Sequence, residues 1–136
     1  MTTQVNLLLT GDELMNGDVI DTNSVMFAEH LSDIGLTIRK KVTIADDLSL
    51  LQAEIVQLSQ SADVLIINGG LGPTVDDLTS QALALACGVE LELNPHAHLH
   101  LKNWAERRKT QLNKPNLKQA YLTLNFTSTY WLRYYC

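Results

Sequence analysis

The sequence predicts an α/β fold with a mostly parallel sheet covered by helices on both faces. Three observations lead there. Short apolar runs alternate with amphipathic helical patterns from Val5 to Gly88. The joins between them are short, which favours right-handed crossovers between parallel strands. Each of the first three strand exits also carries acids, and ligands of such sheets sit beyond the carboxyl ends of the strands.

Taken in order, Val5 to Thr10 is a short apolar run suited to a first buried strand. It ends in Gly11-Asp12-Glu13-Leu14, and a loop is expected through Gly17 to Asp21-Thr22-Asn23. Phe27, Leu31 and Ile34 fall at i, i+4 and i+7, and Gly35 follows as a C′ residue, so a helix is expected there. Thr37 to Ile44 alternates in part and reads as the second strand, ending in Asp46-Asp47. Leu48, Leu51, Ile55 and Leu58 make the next amphipathic helix, and Asp63 to Asn68 the third strand. Leu78, Ala82 and Leu85 give the following helix its apolar face, with Gly88 ending it. A short strand is expected from Val89 to Leu93. Asn94-Pro95 supplies a cap and a proline at the first helical position, opening a helix through about Leu112.

Composition narrows the class. At 136 residues, 46% hydrophobic and 18% charged, the chain fits one globular domain able to bury a core without disulfides. No apolar run reaches membrane-span length, and Met1-Thr2-Thr3-Gln4 lacks the layout of a signal peptide, so no membrane partner is expected. Cys87, read as a packing residue of its helix, and Cys136 fit neither a metal spacing nor a disulfide framework. A cytoplasmic location is the expectation. The net charge of −5 hides an asymmetry: residues 1–94 hold 14 acids and 3 bases, residues 95–136 hold 1 acid and 7 bases. An acidic body without a basic stripe argues against nucleic acid as a partner.

The chemistry concentrates in Gly69-Gly70-Leu71-Gly72-Pro73-Thr74-Val75-Asp76-Asp77-Leu78-Thr79, directly after the third strand. A glycine-rich turn that opens onto a helix offers backbone N–H donors to an anion, so Gly69, Gly70, Gly72 and Thr74 are candidate phosphate-binding residues. Thr74 and Asp77 also have the spacing of a capping box. Asp76 and Asp77 would repel a phosphate unless a divalent cation, Mg2+ or similar, sits between them. Asp12 and Glu13 follow a strand with no evident helix to cap, so they join Asp76 and Asp77 as candidate metal ligands. Asp46 and Asp47 precede a helix, where aspartate commonly caps, so cap and rim ligand both stand for them. His96 and His100 share a helix face but lack a third ligand and read as surface histidines.

These residues resemble a known family. Gly11-Asp12-Glu13-Leu14, Gly17, Asp21-Thr22-Asn23-Ser24, Asp46-Asp47 and the Gly69–Thr79 block together resemble the molybdopterin-binding (MoCF-type) domain, and more narrowly the N-terminal domain of CinA proteins. The similarity runs from residue 4 to residue 120, where Lys118-Gln119-Ala120 also fits. It implies a three-layer α/β/α fold that forms a homo-oligomer and binds a nucleotide or pterin phosphate. It implies catalytic roles for Asp46 and Asp77. The CinA-like type implies divalent-metal-dependent hydrolysis of an ADP-ribose-type nucleotide pyrophosphate; the wider family implies molybdopterin adenylyltransferase chemistry. A binding or oligomerisation module without turnover is the third expectation. After Ala120 the similarity stops, and five of the eight aromatics lie between Phe126 and Tyr135. The division expected is therefore a domain over 1–120 and an atypical tail over 121–136, from a truncation, a frameshift or an added strand.

Overall fold

The computed structural model describes residues 3–123. Its central sheet is parallel, in the order β2-β1-β3, formed by β1 (Val5–Thr10), β2 (Ile38–Ile44) and β3 (Val64–Asn68). Every residue of β1 is buried, as a central strand covered on both faces requires. Register aligns Leu8 with Val42 on one side and with Ile67 on the other.

The two faces of β1 can be assigned from polar contacts. The Asn6 side-chain amide donates to the Leu58 carbonyl and to the Ser61 hydroxyl, both at 3.0 Å, so Asn6, Leu8 and Thr10 face helix α3 (Leu48–Ser59). There Leu8 packs with Ile44, Leu51, Ile55, Leu58 and Ala82, the last from α4 (Thr79–Cys87). Leu7 and Leu9 point the other way. Lys41, beside Leu7, donates to Asp21 and to the Ser24 hydroxyl, both at 3.2 Å, and Asn68, beside Leu9, accepts from Asn23 at 2.9 Å. Those contacts hold α2 (Asn23–Asp33) over the second face. The sheet therefore lies between two helical layers, as predicted.

Several local expectations are corrected. A one-turn helix, α1 (Asp12–Met15), stands where a loop was expected, closed by the Asn16 N–H on the Asp12 carbonyl at 2.9 Å. One turn is too short to show a helical period. Leu85 is 47% exposed and Cys87 is exposed, so neither packs as expected. The buried stripe of α4 runs instead through Thr79, Ala82 and Ala84, with Leu78, Leu83 and Ala86 partly covered. Ile34 lies beyond the last turn of α2 and is 70% exposed.

β4 (Leu91–Leu93) pairs antiparallel with β5 (Tyr121–Thr123). Between them, α5 (Pro95–Arg107) starts as predicted, with the Asn94 side chain accepting from the His96 and Ala97 N–H groups at 3.0 Å. It stops short of Leu112 because Lys109 takes a left-handed conformation. A short helix, α6 (Lys114–Lys118), follows. The aromatic stretch from Phe126 to Tyr135 lies outside the described residues. Among the described residues, no helix is long and apolar enough to cross a membrane.

Candidate functional site

Parallel strands place their carboxyl ends on one edge, so the exits of β1, β2 and β3 meet there. Asp12, Glu13, Asp46, Asp76 and Asp77 border a single pocket of about 300 Å3. Thr10, Gly69, Gly70 and Thr74 line it as well. Gly72 does not; it borders a neighbouring cavity of about 570 Å3.

The adjacent acids Asp46 and Asp47 divide their work. Asp47 caps α3, its Oδ1 accepting from the Leu50 N–H at 2.7 Å. Asp46 turns toward β1, where Oδ1 accepts from the Thr10 hydroxyl at 2.6 Å and Oδ2 from the Asp12 N–H at 3.2 Å. Asp12 returns the contact, accepting from the Asp46 N–H at 3.0 Å. The two strand exits are thus locked by a reciprocal carboxylate–amide pair. The side-chain carboxylates of Glu13 and Asp76 have no hydrogen-bond partner among the described residues.

The glycine turn differs from the sequence expectation. Asp77 Oδ2 accepts from the Thr74 N–H at 2.8 Å and the Thr74 hydroxyl at 2.7 Å, which closes a turn of its own ahead of the helix. α4 begins only at Thr79, so no capping box forms and neither Asp76 nor Asp77 lies in a helical first turn. The short aspartate carboxylate accepts locally, within the turn it closes. Thr79 then directs its own donors back to the loop, N–H to the Gly70 carbonyl at 3.1 Å and hydroxyl to the Gly69 carbonyl at 2.7 Å. The helix start therefore braces the loop at this residue.

Two of the glycines are required by the chain itself. Gly69 has φ +104°, and a Cβ there would sit 2.2 Å from the Thr10 carbonyl oxygen. Gly70 has φ +61°, and a Cβ would sit 2.5 Å from the Thr79 hydroxyl. This close approach draws the turn against the end of β1 and so against Asp46.

Three site-forming side chains carry no signal in the strand and helix patterns. Thr10 orients Asp46. From α6, Lys118 Nζ donates to the Thr74 carbonyl, and the adjoining Gln119 side chain donates to the Leu71 carbonyl at 3.3 Å. Residues 71 and 74 are thus held from a segment more than forty positions away in the chain. Burial raises the Asp77 pKa, but hydrogen bonds from Thr74 and the Gly72 N–H, with the Lys118 charge, outweigh it and hold the carboxyl below the ordinary value of 3.8.

The expected metal ligands Asp12, Glu13, Asp76 and Asp77 surround the pocket without closing on a point. Among the described residues, no three His, Cys, Asp or Glu side chains are grouped to hold a metal ion. A magnesium-type cation needs fewer protein ligands: one or two carboxylates, completed by phosphate oxygens and water. The unpartnered Glu13 and Asp76 fit that demand.

Comparison with known proteins gives a consistent pattern. The family model described as "Probable molybdopterin binding domain" matches residues 6–124. A CinA-like protein from Colwellia psychrerythraea is 60% identical over 119 residues, which is 88% of this chain and 28% of that protein. A Shewanella oneidensis protein named nicotinamide-nucleotide amidohydrolase PncC is 37% identical over 122 residues, 90% of this chain and 29% of that protein. The chain thus spans less than a third of the length of these relatives. The crystal structure of CinA, of unknown function, from Thermoplasma acidophilum superposes with a TM-score of 0.80 at 26% identity, covering 89% of this chain and 71% of that one. MoaB, a molybdopterin biosynthesis enzyme from Thermus thermophilus, shares the fold at a TM-score of 0.61 and 18% identity, covering 90% of this chain and 75% of that one.

Proposed function

The chain belongs to the probable molybdopterin-binding domain family, and on that premise we propose that its acid-lined pocket hydrolyses an ADP-ribose-type nucleotide pyrophosphate with a divalent cation. One observation carries the reading. Five carboxylates from three separate strand exits border one pocket with the glycine turn, and among the described residues no lysine or arginine lines it. Such a pocket repels a diphosphate on its own and accepts one bridged by a cation.

Glu13 and Asp76 would hold the cation, which supplies neutralisation of the phosphate oxygens. Asp46, oriented by the Thr10 hydroxyl and the Asp12 N–H, would accept a hydrogen bond from the attacking water. Asp77 is a poor proton acceptor at neutral pH, because its carboxyl is held below the ordinary aspartate range. Its work is to close the 74–77 turn and add negative charge facing the cation. Water adds across the bridging P–O bond, releasing AMP and ribose 5-phosphate.

The test is AMP release from ADP-ribose with Mg2+ and with chelator. Cation-dependent release that is lost in Asp77→Asn is the expected result; full activity in that variant would overturn the site assignment. The family's description favours a second reading, adenylyl transfer from ATP to a molybdopterin phosphate, which the same preparation reports as ATP-dependent product without ADP-ribose cleavage. Ligand binding with neither product would mark a module without turnover. Self-association is supported by apolar side chains left bare around α1 and α2, above all Ile20 at 84% exposure, and sedimentation measures it.

A further inference from the structure

The 570 Å3 cavity beside the acid pocket has a different lining, largely apolar and with two lysines. The two share Gly70 and Asp77 and are therefore neighbours. The larger one is lined by Leu71, Leu91, Leu117 and Tyr121, a largely apolar set suited to a planar organic group. Lys114 and Lys118 line it from α6, where the i, i+4 spacing puts them on one face. Lys118 already answers Asp77 and the Thr74 carbonyl. The Lys114 ammonium has no hydrogen-bond or ion-pair partner among the described residues. Among the described residues the cavity has one carboxylate and two ammonium groups, a surplus of positive charge, whereas the charged residues of the adjoining pocket are all acids.

We infer that this cavity is a second anion subsite, which takes the ring-bearing half of the ligand and selects for a further phosphate or carboxylate carried on that half. The inference rests on the proposed function for what occupies the acid pocket, and it narrows the substrate class. A simple dinucleotide pyrophosphate puts its charge at the bridge and leaves Lys114 unanswered. A nucleotide phosphorylated on its sugar as well answers both ends at once. The opposed charges of the two compartments also fix orientation: the cation-bridged diphosphate lies over the acids and the ring half over α6.

Calorimetric titration of the whole chain with adenosine 2′,5′-bisphosphate and with AMP, without divalent cation, tests the subsite alone. The bisphosphate is expected to bind at least tenfold more tightly at low salt. That preference should fall to about twofold or less in Lys114→Gln and survive in Lys102→Gln, which removes a lysine from the exposed part of α5. Equal binding of both nucleotides overturns the inference, as does a preference that Lys114→Gln leaves intact. So does failure of both nucleotides to bind. Cation-dependent cleavage of ADP-ribose, measured separately, reports on the acid pocket: its loss beside a Lys114-dependent preference sinks the hydrolase reading and leaves the subsite standing.

Discussion

Gly69→Ala isolates the contact on which the site's geometry rests. The added Cβ would lie 2.2 Å from the Thr10 carbonyl oxygen and 3.1 Å from Thr10 Cγ2, and the carbonyl belongs to a central strand that cannot rotate away. The backbone at φ +104° adds a conformational penalty. A left-handed conformation costs a non-glycine residue about 1–2 kcal/mol, and forcing an extra carbon into a packed site costs about 1–3 kcal/mol. The expected loss is therefore about 2–5 kcal/mol, a large part of a small domain's stability. Gly88→Ala is the control, since its φ of +65° is also positive but nothing lies within 4 Å of the new Cβ. That variant should lose only the conformational part, about 1–2 kcal/mol. Urea unfolding of the two variants side by side, with slopes checked for two-state behaviour, measures the difference. Gly69→Ala should also reduce the proposed pyrophosphate hydrolysis in the surviving folded protein, because Thr10 orients Asp46. Equal midpoints for the two variants would refute the close-approach argument.

Other perturbations separate structure from chemistry. Asp47→Ala removes the α3 cap and should cost about 1 kcal/mol by thermal melting while leaving the proposed hydrolysis intact; Asp46→Asn should lower that turnover on the order of 100-fold and, because its amide nitrogen cannot accept the Asp12 N–H, cost about 1 kcal/mol as well. Asn94→Ala frees two N–H groups at the start of α5 and should cost about 1–2 kcal/mol in the same assay. The Asp77 carboxyl is held below 3.8, so its stabilising contribution is complete above that pH and fades as pH falls through the lowered value. The melting-temperature gap between the parent chain and Asp77→Asn should therefore narrow as pH drops from 5 toward 2, and a constant gap would remove the charge argument.

The parallel sheet was legible because its strands read as short apolar runs bounded by acids and glycines, a signal that tertiary context rarely reverses. The rim was legible for the same reason, since parallel strands must place their exits together. What local spacing could not supply was the direction of each side chain. Thr74 and Asp77 fit a capping box by position, yet the carboxylate accepts from the threonine and the helix waits until Thr79. Leu85 fits an i+3 spacing from Ala82, but Leu78, Ala82 and Ala86 fit i+4 equally and these are the residues that pack. The bracing by Lys118 and Gln119 depends on a return of the chain through β4, α5 and α6, and no local pattern encodes it.

The division between Asp46 and Asp47 shows why an acid pair at a strand exit is hard to read as one motif. A residue that leaves a parallel strand for a helix has two demands to meet within two positions. The helix needs an acceptor for its free N–H groups, and Asp47, in an extended conformation at the N-cap, supplies it. The strand exit needs something to fix it against the neighbouring exit, and Asp46 does so through Thr10 and Asp12. Because capping is satisfied one residue later, Asp46 is free to face the pocket. The same logic applies at the third exit, where Asp77 closes the turn and Asp76 is left without a partner. Of these four carboxylates Asp47 is taken up by the helix cap and Asp77 by the 74–77 turn, whereas Asp46 and Asp76 border the pocket unclaimed by a helix, which is how a sheet edge keeps negative charge facing a pocket while its helices stay capped.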